Sequence, residues 1–149
     1  MLMKTVISEL TVKEEISFDA SRLQYHSGKM LAAMITAAPL DDSKILGITP
    51  YDLFVPVLTF VFGQAQLNSR AALFSTFRLS NEFYGLPHSD ALFESRSAKE
   101  ALHELGHTFG LKHCFDVPCV MNTSTYVEDI DLKPELFCER CMYHLSKQE

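Results

Sequence analysis

Between His103 and His113 the chain reads His-Glu-Leu-Gly-His-Thr-Phe-Gly-Leu-Lys-His, and this spacing constrains local shape more than any other stretch. Residues four apart on an α-helix are separated by about 400° of rotation and about 6 Å of rise, so His103 and His107 share a face and reach a single ion. Glu104 lies one step round the helix. There it can touch a water on that ion without taking a ligand position. Gly110 supplies the stop, because helices commonly end on a left-handed glycine, and the turn brings His113 back as a third ligand. A bare His-Glu-x-x-His also arises by coincidence on surface helices; Gly110 and His113 at this spacing argue against that reading.

Four cysteines follow. Cys114, Cys119, Cys138 and Cys141 form C-x4-C-x18-C-x2-C, two pairs at the spacing of a closed tetrahedral zinc site. Two disulfides, or free buried thiols, are the alternatives. Met121 stands eight residues beyond His113. The extended histidine pattern resembles the metzincin clan of zinc endopeptidases, and its continuation into four cysteines resembles the archaemetzincin family. The match is tight over roughly the last third of the chain. Upstream, Phe60-Val61-Phe62-Gly63, Ser75-Thr76-Phe77-Arg78-Leu79 and Ser21-Arg22-Leu23-Gln24-Tyr25 are also similar to that family.

The resemblance implies a zinc metallopeptidase with two zinc ions per chain, one on His103, His107 and His113 and one on Cys114, Cys119, Cys138 and Cys141. Glu104 is then the general base and acid of amide hydrolysis, taking a proton from water and passing it to the leaving amine. Met121 becomes the apolar floor beneath the imidazoles, a role that differs little from filling a core gap. Tyr126 stands at the wrong distance from Met121 to match the tyrosine some metzincins use, and Glu104 is left as the only acid/base. The implied fold is mixed α/β, a metzincin-like domain over 1–149 with a twisted mixed sheet, a backing helix, an active-site helix and a zinc-braced C-terminal segment. Relative to the family, part of a first strand-helix unit before Ser21 is missing, so a smaller upper half is expected, its edge exposed or covered by a partner.

At 149 residues with 47% hydrophobic and 21% charged residues, the chain has core material for one ordinary domain. A net charge of −6 and the lack of a strongly basic window disfavour nucleic acid as a partner. The expected partner is a peptide, better cationic than acidic. No window approaches the ~20 apolar residues of a membrane span, and the N-terminal residues carry no signal-peptide pattern. A cytoplasmic, reducing location follows as the expectation, and it favours metal over disulfides for the cysteines. A zinc-braced peptide-binding module without turnover, and a nucleic-acid-binding zinc protein, are the other function classes to be separated.

Along the chain, Thr5–Leu10 reads as a strand. A helix inside 17–39 is capped by Ser27, stopped by Pro39, and striped with Met30, Leu31, Met34 and Ile35 as core. Residues 44–49, 59–62 and 71–76 read as strands. Gly63–Leu67 is either a cleft-lining edge strand, by resemblance, or a plain loop. Residues 80–92 are loop-like, and the following helix has an apolar face of Ala98, Leu102, Leu105 and Phe109. A short final helix is expected within 134–145. Gly106, inside the site helix, costs about 1 kcal/mol relative to alanine and calls for a close neighbour. His26, His88 and His144 have no partner at ligand spacing.

Overall fold

A computed structural model describes residues 4–115 and 117–148. The apolar run at 71–75 is buried along its whole length and forms the middle strand of a three-stranded sheet. In chain order the strands are β1 (Phe18–Asp19), β2 (Gln24–His26), β3 (Ile45–Thr49), β4 (Leu53–Phe54), β5 (Gly63–Ala65) and β6 (Ala71–Ser75). The helices are α1 (Ser27–Ala37), α2 (Asp90–Thr108), α3 (Val127–Leu132) and α4 (Glu139–Ser146). The expected single sheet is two: β3-β6-β5, with β6 parallel to β3 and antiparallel to β5, and a smaller β1-β2-β4. An antiparallel bridge from Leu53 to Val61 leads from the smaller sheet back towards β5.

One apolar cluster joins Met30, Leu31 and Met34 of α1 to Leu73, Ala71 and Leu53. A second gathers Phe74 and Phe62 with Leu79 and the α3 residues Val127 and Ile130, where Phe93 and Ala101 of α2 also pack. Strand β6 alternates its side chains between these two clusters, as a strand buried on both faces must.

Several expectations are corrected. Residues 4–13 carry no regular structure, and Val6 and Ile7 are exposed; β propensity without a partner strand makes no sheet. Residues 59–62 contribute only the Val61 bridge. Helix α1 is capped by His26, whose ring accepts from the Lys29 N–H, while Ser27 bonds Phe54 O and the Gln64 side chain instead. Helix α2 starts at Asp90, with the Ser89 hydroxyl as its cap. Its most buried residues are Arg96, Lys99, Glu100, His103, Glu104, Gly106 and Thr108, not the predicted apolar face. Those charges are matched: Arg96 grips Asp131 through two bonds of 2.8 Å, and Lys99 donates to the Ile130 and Asp131 carbonyls. Helix α3 was not expected, and the final helix starts at Glu139.

Candidate active site

Helix α2 carries His103, Glu104 and His107 on its inner side, and its end is built as the glycine predicts. Gly110 has φ +84°, its N–H bonds the His107 carbonyl at 2.9 Å, and the Leu111 N–H bonds the Gly106 carbonyl at 3.0 Å. This is a Schellman stop. The turn returns the chain so that the rings of His103, His107 and His113 lie 4.8–5.3 Å apart, with one ring nitrogen of each within 4.8 Å of the others.

Backbone carbonyls orient two of the rings. His103 Nδ1 lies 2.9 Å from Val120 O, and His107 Nδ1 lies 2.7 Å from Leu111 O. A carbonyl only accepts, so each Nδ1 carries the hydrogen and each Nε2 is left with a bare lone pair. The two Nε2 atoms face each other at 3.2 Å, where two lone pairs need a cation between them. Tetrahedral zinc with nitrogens at about 2.05 Å places ligands about 3.3 Å apart, so the pair fits. Burial, reinforced by the Lys133 ammonium, drives the His103 pKa down to about 3, and burial lowers that of His107. Both imidazoles are thus neutral at ordinary pH, the form a metal ligand requires.

Glu104 is buried beside them. Burial first, and Glu100 second, push its carboxyl well above the usual carboxylate range, while Lys133 pulls the other way. It lines a cleft of about 400 Å³ with the three histidines, Lys112, Leu67 and the β5 residues Gly63, Gln64 and Ala65. The stretch predicted as an edge strand or a loop is therefore an edge strand, one residue pair short of Leu67. Since Ser75 N bonds Phe62 O and Gln66 N bonds Ala71 O, the N–H and C=O groups of Gly63 and Ala65 alternate outward from the sheet. The tip after β5 is tied to the helix end through Asn68 N, 2.8 Å from His107 O. A larger hollow of about 530 Å³ beside Arg22, His26 and Lys29 contains neither metal-donor group.

The four cysteine sulfurs gather within 4.8 Å. Cys114 and Cys138 are 3.6 Å apart, and Cys119 and Cys141 are 3.8 Å apart. Tetrahedral thiolates at 2.3 Å from zinc stand about 3.8 Å apart, whereas a disulfide needs about 2.05 Å. The Cys141 N–H holds the Cys138 thiol down to about 7, so a thiolate forms readily there. Arg140 donates to Cys114 Sγ at 3.2 Å. Met121, fully buried, fills the space under Gly106: a Cβ there would lie 2.6 Å from its Sδ. That is the close neighbour the glycine calls for.

His88 sits exposed between Glu82 and Asp90, His26 caps α1, and Tyr126 is exposed at the start of α3, all apart from the donor groups. Sequence reasoning missed the Val120 and Leu111 carbonyls, Arg140, and the Glu100–Lys133 pair. Only Glu100, one turn before Glu104, left a visible signal.

The sequence profile of Peptidase family M54 matches residues 6–147. Archaemetzincin of Methanocaldococcus jannaschii is 40% identical over 130 residues, which span 87% of this chain and 70% of that protein. The crystal structure of archaemetzincin from Methanopyrus kandleri superposes with a TM-score of 0.81 at 39% identity, over 90% of this chain and 71% of the other. A zinc-dependent peptidase from Methanocorpusculum labreanum gives the same TM-score at 33% identity, over 96% and 83%. No helix among the described residues is long and apolar enough to cross a membrane. Profile, relatives and donor geometry converge: the chain belongs to peptidase family M54, with the archaemetzincins, and is a zinc metallopeptidase.

Proposed function

We propose that His103, His107 and His113 hold a catalytic zinc, that Cys114, Cys119, Cys138 and Cys141 hold a structural one, and that Glu104 moves the proton in peptide hydrolysis. The observation that carries this reading is the buried Glu104 carboxyl in the same cleft as two bare, carbonyl-oriented imidazole nitrogens. Bound there, zinc would supply Lewis acidity, lowering the pKa of water towards about 7 and polarising a carbonyl.

The chain's own residues do the rest. Glu104, one position past His103, faces the cleft without belonging to the three-nitrogen group. Its low-dielectric surroundings raise its affinity for a proton, which suits a group that takes one from attacking water and returns it to the leaving amine. Gly63 and Ala65 offer outward N–H and C=O groups along the cleft, so an extended peptide adds to β5 as a further strand. Lys112 is the exposed cationic side chain lining that cleft.

The test is a peptide-library digest read by mass spectrometry, wild type against Glu104→Ala, with zinc measured in both. Glu104→Ala is expected to keep two zinc ions per chain and to lose more than the ~10²–10⁴-fold typical of one acid–base group, because Glu104 serves both proton transfers. Wild-type rates in that variant would overturn the role. Peptide capture by the wild type without any cleavage would favour a binding module.

A further inference from the structure

Beneath the site helix lies a buried ion pair that belongs to neither metal-donor group. Lys133 follows α3 and runs under α2, its ammonium 3.3 Å from Glu100 Oε1, 3.4 Å from Asn122 O and 3.5 Å from His103 Nδ1. Both partners are nearly inaccessible, Lys133 at 5% and Glu100 at 3% exposed. Taking two charges out of water costs about as much as their attraction returns, so such a pair is weak support for stability alone. Its surroundings indicate another role.

His103 Nδ1 already donates to Val120 O at 2.9 Å and cannot accept from the ammonium. The acceptors of Lys133 are therefore Glu100 on α2 and the carbonyl of Asn122. Val120 and Asn122 flank Met121. By tying Asn122 to α2, Lys133 holds the 120–122 turn against the helix, two residues from the carbonyl that aims the His103 ring. Its own placement is rigid. Arg96 and Lys99 pin Asp131 and Ile130 to α2, and the Lys133 N–H bonds Asp129 O. Two elements are thus locked together directly behind one imidazole.

We propose that Lys133 and Glu100 are positioning residues for the histidine site: they fix the 120–122 turn on α2, and so hold His103 aimed at the ion and Met121 beneath Gly106. Neither touches substrate. The inference rests on the reading of His103, His107 and His113 as zinc ligands.

The single variant Lys133→Met strands a buried carboxylate and is expected to melt early. Lys133→Met/Glu100→Gln has no orphan charge and is expected to melt close to wild type, which separates aim from stability. Both are compared as full chains for melting temperature, zinc at each site, the visible spectrum after cobalt substitution, kcat and KM. In the double variant the thiolate site stays filled, affinity at the histidine site drops ~10–100-fold, the cobalt bands shift, and kcat falls with KM unchanged within about twofold. Wild-type histidine-site affinity and cobalt spectrum in a normally melting double variant overturn the positioning role while leaving the ligand assignment intact. Wild-type protein that takes up no metal at the histidines overturns the ligand assignment and this proposal with it.

Discussion

Gly63→Ala places one methyl group between edge strand β5 and the carboxyl of Glu104, the proposed proton carrier. A Cβ on Gly63 would lie 2.6 Å from Glu104 Oε1, 2.8 Å from Glu104 Cδ and 2.7 Å from the Leu73 carbonyl. Ordinary contact begins near 3.4 Å, so relief requires a displacement of about 0.8 Å. The Leu73 carbonyl belongs to the central, fully buried strand β6 and cannot retreat; β5 must slide outward, or the Glu104 side chain must turn. Either movement separates the proposed peptide-binding edge from the proposed proton carrier. Overpacking of this kind costs about 1–3 kcal/mol, which for a chain of this size lowers Tm by roughly 2–12 °C. A misplacement near 1 Å costs on the order of 10²-fold in rate. The assay is kcat and KM on a peptide, with zinc content and thermal melting on the same preparation. Zinc is expected to stay at the wild-type level, since no histidine is touched. Gly106→Ala is the control: its Cβ meets the flexible Met121 Sδ at 2.6 Å, so the thioether can yield and the loss of kcat should be smaller. Wild-type kcat and Tm in Gly63→Ala would refute the packing of β5 against Glu104.

If the two proposed zinc sites are coupled, Cys141→Ser should weaken zinc affinity at the histidine site ~10–100-fold, because a filled thiolate site would fix Cys114 and hence the adjacent His113. His103→Ala should empty the histidine site with the thiolate site still filled. Independent loss of one ion in each variant, with the other site's affinity unchanged, would contradict the coupling; zinc stoichiometry and melting decide it. In metal-stripped protein His103 titrates near 3 when folded and near 6.5 when unfolded, so between those values the unfolded chain binds the extra proton. Stability then falls as pH drops through that window, by up to about 1.4 kcal/mol per pH unit for this one group. Glu104 has the opposite sign: its raised carboxyl keeps its proton longer in the folded state, and above 4.5 its contribution is lost as pH rises. Urea melts across pH should therefore show a flatter acid limb in His103→Gln, and less loss towards neutral pH in Glu104→Gln; unchanged slopes in both would contradict the burial of these groups.

The gathering of the three histidines and of the four cysteines was legible in the chain because its information is local. The His103–His107 separation is one helical turn, Gly110 has one favoured conformation at a helix end, and two cysteine pairs at short spacing need only a loop to meet. Helix α1 and the central strand β6 were legible for the same reason, since their apolar periodicity is written within a dozen residues. Thr5–Leu10 was not: strand character there is a propensity, and a strand exists only where a partner supplies its hydrogen bonds. The division into two sheets follows from pairings between segments far apart in the chain, and Arg96, Lys99 and Glu100 of α2 face inward because their partners Asp131, Ile130 and Lys133 lie more than 30 residues further on. The carbonyls of Val120 and Leu111 leave no mark in the side-chain sequence, yet they decide which nitrogen of His103 and His107 is free. Lys133 is 33 residues from Glu100, and only folding reveals that they meet. Donor identity and order are properties of the sequence; aim, protonation and access to the cleft arise from contacts between distant segments, because burial and hydrogen-bond partners exist only once the chain has closed on itself.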